Sequence, residues 1–159
     1  MNIRYKKTLL IEKTIKLFKK NEEKKGLPHV VSSSFEPKRK NRFVVEFPES
    51  FKLAPYFVQE VQRPKYIVDK GWSNIVIKFV DTVTQPISEG FFDLIQNKLV
   101  ENSFEIVIKL LDPVGDVIEK WIIGNCKIIL LDFGDISYKE EDIIMPTLTI
   151  KPKYCYLEF

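Results

Sequence analysis

The side chains most often used for nucleophilic catalysis are scarce in this sequence. His29 is the only histidine, and it directly follows Pro28. Nucleophilic catalysis needs a serine or cysteine beside a base that a third group orients, so a Ser-His or Cys-His pair is not expected. The two cysteines, Cys126 and Cys155, lie in separate strand-like segments with no further Cys or His at ligand spacing. We expect both to be reduced, buried apolar residues, and we expect no zinc site.

Acidic and glycine-containing motifs do not indicate a catalytic site either. Glu140, Glu141 and Asp142 are consecutive, and such acids could bind a hard cation or transfer protons. Neighbouring acids in a polar turn are more typical of a solvated surface. The six glycines are scattered, and none precedes Lys-Ser or Lys-Thr as in a phosphate-binding loop. Asp132-Phe133-Gly134 matches the metal-binding tripeptide of protein kinases, but the other kinase motifs are missing. We predict no catalytic residue, no metal and no cofactor.

The elements around these residues are mostly strands, most clearly over residues 104–133. From Phe104 to Leu111, apolar side chains recur at every second position, which predicts a strand with one apolar face. The segment 112–116 (Asp-Pro-Val-Gly-Asp) predicts a chain reversal, because proline and glycine suit a turn. A second strand over 117–123, a short hairpin at Gly124-Asn125 and a third strand over 126–133 are then expected.

The remaining pattern predicts further strands and one helix in the body of the chain. Strands are expected over residues 42–47, 56–62, 74–80, 147–151 and 154–159, with a long loop or hairpin over 63–73. A helix is expected after Pro86, with one apolar face formed by Phe91, Leu94, Ile95 and Leu99. The fold class is therefore mainly β (α+β), an antiparallel β-sandwich or barrel with one flanking helix and an N-terminal helical arm.

Charge divides the chain into a basic start and an acidic body. Residues 1–40 have twelve Lys or Arg and four Glu, a net charge of +8. Residues 41–159 have thirteen basic and eighteen acidic residues, a net charge of −5. No apolar run approaches the roughly 18 residues of a membrane-spanning helix, and no signal peptide is apparent. We expect a protein that is made and kept in a cytoplasm.

The basic start predicts an arm that is separate from the body. Residues 1–28 are predicted to be a basic helical arm, residues 29–41 a linker and residues 42–159 the β domain. Leu10, Ile11, Leu17 and Phe18 form a narrow apolar stripe at helical spacing among lysines. The arm could pack on its own body, or dock on a neighbouring subunit or partner protein. Binding to nucleic acid or to a membrane surface is a less specific alternative.

Four segments of the body form a distinctive series: the opening strand at Asn41-Arg42-Phe43, the segments IVIKLLDPVGDVIEKWIIGNCKI and LDFGDISYKEEDI, and the closing PTLTIKPKYCYLEF. In these segments, residues 41–159 resemble the tube proteins of contractile phage tails. The family has a strand that ends in a Leu-Asp-x-x-Gly turn and a returning strand with Trp. An Asp-x-Gly-x-x-Ser-Tyr turn and a last strand of alternating Thr and apolar residues follow. The similar residues are structural rather than catalytic.

This resemblance implies a structural virion protein and not an enzyme. Six copies would join their sheets edge to edge in a ring, and the rings would stack into the inner tube of a contractile tail, a conduit for DNA. The partners would be other copies of the chain and the sheath and baseplate proteins, with no membrane. DNA would pass an acidic lumen without specific binding. The protein would be located in the virion tail and assembled in the host cytoplasm.

The resemblance also implies roles for individual segments. Arg63, Tyr66 and Trp72 would contact an adjacent ring, because related tubes use the corresponding loop in this way. Trp72 could instead cover the core of its own domain. The arm would tether the subunit to a neighbouring ring, the baseplate or the sheath. A long basic arm is absent from the minimal tube fold, which favours a baseplate tube-initiator subunit as an alternative. A nucleic-acid-binding accessory protein that uses the arm is the alternative from another class.

Overall fold

The part of the chain that can be described begins shortly before the predicted β domain. A computed structural model of the protein describes residues 37–159. The predicted arm over residues 1–28, with Leu10, Ile11, Leu17 and Phe18, lies outside the described residues, as does most of the predicted linker. Residues 37–42 contain no strand or helix, and β1 begins at Phe43.

Antiparallel strands dominate the described residues, as the alternating pattern predicted. The strands are β1 (Phe43–Glu46), β2 (Val58–Val61), β3 (Tyr66–Ile67), β4 (Gly71–Trp72), β5 (Ile75–Phe79), β6 (Phe104–Leu111), β7 (Val117–Asp132), β8 (Thr147–Lys151) and β9 (Tyr154–Glu158). The single α-helix in residues 37–159 is α1 (Ile87–Gln96), and short 3-10 turns occupy Glu49–Phe51, Pro55–Phe57 and Leu99–Glu101. The mainly β fold with one flanking helix is confirmed.

The long strand β7 belongs to two sheets. Its first part, residues 117–126, pairs with β6 and β9, and β1 pairs with the far side of β6. Its second part, residues 127–132, pairs with β8, and β5 and β2 follow in that order. The two sheets, β1-β6-β7-β9 and β7-β8-β5-β2, therefore share β7, which links all seven strands into one continuous hydrogen-bonded network. This arrangement is the predicted β-sandwich or barrel.

The predicted hairpin at Gly124-Asn125 is wrong, because β7 runs through these two residues. Phe104 lies opposite Cys126 whereas Ile106 lies opposite Ile123, so β7 has one residue more than β6 in this interval. Asn125 accommodates the extra residue with a left-handed φ of 49°, a conformation that asparagine tolerates better than most residues. The Gly-Asn pair therefore forms a β-bulge, which bends a strand and increases its twist.

The chain opposite β7 is interrupted close to the same bulge. β8 pairs with residues 127–132 of β7, and β9 pairs with residues 120–124. The interruption is at Pro152-Lys153, where proline provides no backbone N–H for a ladder. The Lys153 N–H donates to the Gly124 carbonyl at 3.2 Å. The bulge in β7 and the break between β8 and β9 therefore lie side by side, at the point where the first sheet passes into the second.

The core fills the space between the two sheets and the helix. Its buried members come from β1, β5, β6, β7, β8 and β9, from Phe51 and Leu53 between β1 and β2, and from the buried face of α1. On α1 this face consists of Ile87, Phe91 and Leu94, which are spaced at i, i+4 and i+7. Ile95, predicted on the same face, is 44% exposed, and Leu99 lies beyond the helix in a 3-10 turn. Phe91 and Leu94 of the predicted face are therefore buried as expected, whereas Ile95 and Leu99 lie outside the buried face of α1.

The helix α1 begins at a carboxylate that lies six residues before it. Asp81 Oδ1 accepts a hydrogen bond from the Ile87 N–H at 2.7 Å, and Asp81 Oδ2 accepts one from the Ser88 hydroxyl at 2.6 Å. The first N–H groups of a helix lack partners within the helix, and a negative charge there also favours the helix dipole. Asp81 therefore fixes the start of α1 against the end of β5.

Candidate assembly interface

The segment predicted as a long loop or hairpin is a hairpin with an exposed tip. Tyr66 of β3 pairs with Trp72 of β4, and Ile67 pairs with Gly71. The Lys70 N–H donates to the Ile67 carbonyl at 3.0 Å, and Asp69 and Gly71 have positive φ values of 75° and 85°. This backbone closes a tight turn. We call residues 63–73 the hairpin below.

A buried carboxylate holds the start of the hairpin. Glu119 of β7 is 1% exposed, and its Oε1 accepts hydrogen bonds from Arg63 Nη2 at 2.5 Å and from Trp121 Nε1 at 2.6 Å. Its Oε2 binds the Lys38 ammonium. Lys38 and Arg63 remain 42% and 55% exposed, so only the acid of this group is removed from water. The carboxylate therefore joins three separate segments of the chain at one point.

The pKa of Glu119 is lowered despite its burial. Burial alone would raise the pKa, because it disfavours the charged form. The hydrogen bonds from Lys38 and Trp121, together with the positive charges of Arg63 and Lys38, outweigh this effect and lower the pKa below its usual value of 4.5. Glu119 is therefore ionised at neutral pH, and both of its oxygens act as acceptors.

Aromatic side chains connect the hairpin to the same part of β7. The Tyr66 and Trp72 rings meet edge to face at 5.1 Å, and the Trp72 and Trp121 rings meet edge to face at 6.3 Å. Trp72 is half-buried and packs against the core of its own domain, as the alternative interpretation had it. Tyr66 is 61% exposed and Val68 at the tip is 75% exposed. The base of the hairpin is thus fixed internally, and its tip is open to solvent.

The three residues predicted to contact an adjacent ring therefore lie together around β7. Arg63 binds Glu119, Trp72 packs on Trp121, and Tyr66 packs on Trp72. Sequence reasoning missed Glu119 and Trp121 as members of this group. A signal was present, because Glu119 is in phase with Trp121 and Ile123 on the inward face of β7. An acid on an inward face needs charged or hydrogen-bonding partners.

Several strands have a free border within the described residues. β1, β2 and β9 each pair with one strand only, and residues 127–132 of β7 pair with β8 only. Unpaired N–H and C=O groups along such a border can pair with another chain. β1 and β2 together line a shallow cavity that also contacts Tyr56, so their borders face one gap.

Among the exposed apolar side chains, several lie along the borders of β9 and of the second part of β7. On β7, Ile129 and Leu130 are each about half exposed, at 52% and 51%. On β9 and just after it, Tyr156 is 62% and Phe159 is 90% exposed. Apolar side chains that cluster at a sheet border indicate an interaction surface rather than ordinary exposure. We call these two borders the apolar borders.

The chain is similar in structure to several solved proteins. No protein-family model matches the sequence, and no curated protein matches it. A chain of the sheath-tube complex of an extracellular contractile injection system (PVC, extended state) has a TM-score of 0.62 at 16% identity, over 83% of this chain and 99% of that one. A chain of the PVC sheath/tube terminator has a TM-score of 0.59 at 16% identity, over 78% and 98%. A chain of the tube-terminating cap of the anti-feeding prophage has a TM-score of 0.59 at 14% identity, over 86% and 98%.

The chain has a contractile tail tube-like fold. The resemblance noted in the sequence is therefore confirmed at the level of the fold. The alignment with this chain extends over 98–99% of the length of each neighbouring chain, so the likeness includes their whole fold and not one part of it. The neighbours come from a sheath-tube complex, a terminator and a cap, and their similar scores do not favour one of these positions.

The described residues show two further properties that concern ligands and membranes. In residues 37–159, no group of three or more His, Cys, Asp or Glu side chains could hold a metal ion. The same residues include no helix that has the length and apolar character needed to cross a bilayer. Cys126 and Cys155 are buried, and neither forms a disulfide.

Proposed function

We propose that this protein is a structural subunit of the tube of a contractile tail and has no enzymatic activity. Copies would associate through their free sheet borders into hexameric rings, and the rings would stack into a hollow tube. The observation that carries the proposal is the combination of a tail tube-like fold with the two apolar borders, where Ile129, Leu130 and Tyr156 are half exposed or more. Pairing of these borders between copies would bury the apolar side chains and satisfy the backbone groups.

The finer parts of the proposal concern cargo and location. We propose that the tube belongs to a phage tail, is assembled in the host cytoplasm, and conducts DNA. The net charge of −5 over residues 41–159 supports passage without binding, because an acidic lumen repels a polyanion. Sheath and baseplate proteins would bind the outside and the end of the tube. Arg63, Tyr66 and Trp72 would present the hairpin tip to an adjacent ring.

The arm would act as an assembly tether. Leu10, Ile11, Leu17 and Phe18 would place its apolar stripe on a neighbouring ring, the baseplate or the sheath. A position at one end of the tube is the second candidate. Chains from a terminator and a cap support it, because both are among the similar structures. A nucleic-acid-binding accessory protein remains the alternative from another class, and the +8 charge of residues 1–40 supports it.

The proposal is tested by the assembly state of the purified full-length protein. Negative-stain electron microscopy should show rings or stacked rings, and light scattering after size exclusion should give the mass of six chains or a multiple of it. Tyr156→Lys and Ile129→Lys place a charge on the apolar borders and should each reduce assembly at least about tenfold. Val83→Lys is the matched control, because Val83 is fully exposed in the turn before α1 and lies on no strand.

Two outcomes would contradict this function. A protein that stays monomeric at high concentration would exclude a self-assembling tube subunit. A monomer that also binds duplex DNA, with affinity falling steeply as salt increases, would favour the accessory protein. Deletion of residues 1–28 separates the two candidates further. The tether hypothesis expects a folded β domain with impaired assembly, whereas the accessory hypothesis expects loss of DNA binding.

A further inference from the structure

A basic groove lies beside the start of the hairpin. It has a volume of about 780 Å³, and its cationic lining consists of Lys38, Arg39, Lys40, Arg63 and Lys65. Apolar side chains form its floor, among them Phe43, Val61 and Trp121. The groove therefore combines an apolar floor with a positively charged rim, which suits an extended segment that carries both acidic and apolar side chains.

Part of the positive charge of the groove has no counterion within the described chain. Glu119 binds Lys38 and Arg63, and the one acid in the lining, Glu60, pairs with Lys78 at 2.9 Å. No ion pair joins Lys40 or Lys65 to another residue in the range 37–159. These two lysines are therefore the cations that a partner can neutralise.

An acidic loop of matching character lies elsewhere on the same domain. Residues 135–142 contain four acids (Asp135, Glu140, Glu141 and Asp142) and one lysine, and every residue of the loop is exposed. None of the four acids forms an ion pair within the described part of the chain. Ile143 directly follows them and is 62% exposed. If residues 140–143 bind in an extended conformation, they therefore present negative charges first and then an apolar side chain.

The groove and the acidic loop lie at opposite ends of β5. The Gln62 N–H donates to the Val76 carbonyl at 3.0 Å, which places the groove beside the beginning of β5. The Phe79 N–H donates to the Pro146 carbonyl at 2.9 Å and the Asp81 N–H to the Ile144 carbonyl at 3.2 Å, which places the loop beside its end. A contact between two different surfaces joins copies head to tail, and such contacts generate rings or open stacks.

We propose that the acidic loop of one copy docks in the basic groove of a second copy. The proposal rests on the self-association proposed above and adds the surfaces at which copies meet. Glu140 and Glu141 would neutralise Lys40 and Lys65, and Ile143 would cover the apolar floor beside Trp121. The hairpin lies at the groove end of the domain, so the same contact would bring its exposed tip against the next copy. Because surface charges carry the recognition, the contact weakens as ionic strength increases.

Reversal of charge on each side tests the pairing. Glu140→Lys with Glu141→Lys should raise the concentration needed for assembly at least about tenfold, and Lys40→Glu with Lys65→Glu should do the same, since like charges would then face each other. The chain with all four substitutions restores opposite charges and should assemble within about threefold of the wild type. Glu49→Lys with Glu101→Lys is the matched control, because both acids are exposed and lie outside the acidic loop.

A cross-linking experiment separates this contact from the proposed tube function. Lys40→Cys in one copy and Glu141→Cys in another should form a disulfide between chains when the two variants are mixed, while the native cysteines are buried. Rings or tubes without this cross-link, and without rescue by the fourfold variant, would overturn the docking and leave the tube function standing. Cross-linked head-to-tail chains without rings would support the docking and overturn the hexameric ring. A wild type that does not assemble, together with cysteine variants that do not cross-link, would overturn both.

Discussion

The Arg63 guanidinium donates to Glu119 Oε1 at 2.5 Å, although 56 residues separate the two in the chain. This bond joins the first residue of the hairpin to the beginning of β7. Lys38 binds the other carboxylate oxygen, so the entry of the chain into the domain is fixed at the same point. The orientation of the hairpin and the position of Lys38 therefore depend on one buried acid.

Replacement of this acid should destabilise the fold. We expect Glu119→Gln to lower the free energy of unfolding by about 1–3 kcal/mol, because charge-assisted hydrogen bonds to Lys38, Arg63 and Trp121 are lost or weakened. This loss of unfolding free energy is smaller than the loss expected when a fully buried ion pair is broken, because Lys38 and Arg63 are partly exposed. Urea unfolding at pH 7 measures the change. Glu105→Gln on β6 is the matched control, since Glu105 is exposed, and an equal loss in both variants would contradict the role of Glu119.

The stabilisation from Glu119 should depend on pH in a defined direction. Its pKa is lower in the folded protein than its usual value of 4.5, so the folded state favours the ionised form. The contribution is fully present above about pH 4.5 and is lost as the pH falls towards the folded pKa. The difference in unfolding free energy between wild type and Glu119→Gln should therefore be constant from pH 8 to pH 6 and shrink below pH 4.5. A difference that grows in acid would refute this assignment.

Residue 124 should not accommodate a side chain, because the Tyr154 side chain fills the space that it would need. A Cβ added to Gly124 would overlap Cε2, Cζ and the hydroxyl oxygen of Tyr154, whose side chain packs over the glycine from the facing position on β9. We expect Gly124→Ala to cost about 1–3 kcal/mol of unfolding free energy, because the ring must move away. In a Tyr154→Ala background the same substitution should cost less than 0.5 kcal/mol. A double-mutant cycle measures this coupling, and additive costs would show that the ring is not the obstacle.

The bulge in β7 makes a separate prediction at Asn125. Its φ of 49° is accessible to glycine without strain and to asparagine at low cost, but it is unfavourable for β-branched residues. We expect Asn125→Gly to leave stability unchanged or slightly higher, and Asn125→Val to lower it by about 1–2 kcal/mol. Thermal unfolding of both variants measures the difference. Equal stabilities would mean that residue 125 does not adopt the left-handed conformation.

The two cysteines should react only when the protein unfolds. Burial is the main cause that raises the pKa of the Cys126 thiol to about 12, and it raises the pKa of Cys155 to about 11. The thiolate is the reactive form, so alkylation at pH 8 should be at least about 10²-fold slower in the native protein than in urea. Mass spectrometry after timed alkylation measures both sites. Rapid labelling of native Cys126 would show that the first part of β7 opens in solution.

Most of the strands could be predicted from the sequence because alternation of apolar residues is a local signal. The strands β5, β6 and β8 show burial at every second residue, which is the pattern that the sequence displays. The hairpin predicted at Gly124-Asn125 was wrong because a Gly-Asn dipeptide suits both a hairpin turn and a β-bulge. The pairing of β7 with strands on both sides decides between them, and that pairing is not local.

The candidate interface could be predicted only in part. Arg63, Tyr66 and Trp72 lie in the segment predicted as a long loop or hairpin, and the structure brings them together beside β7. Their contact with an adjacent ring stays a prediction. Glu119 could not be paired in advance, because its partners Arg63 and Lys38 lie 56 and 81 residues away. The groove likewise depends on how β1 and β2 approach each other, which no local pattern specifies.

The continuity of β7 also has a mechanical consequence. In many two-layer β proteins, the layers can slide apart by breaking only the contacts between their side chains. Here β7 belongs to both layers, so shear between the layers must also break the backbone hydrogen bonds that join β7 to β6, β8 or β9. A domain built in this way resists shear along the direction of that strand. This resistance would suit the proposed tube subunit when the tube is placed under load.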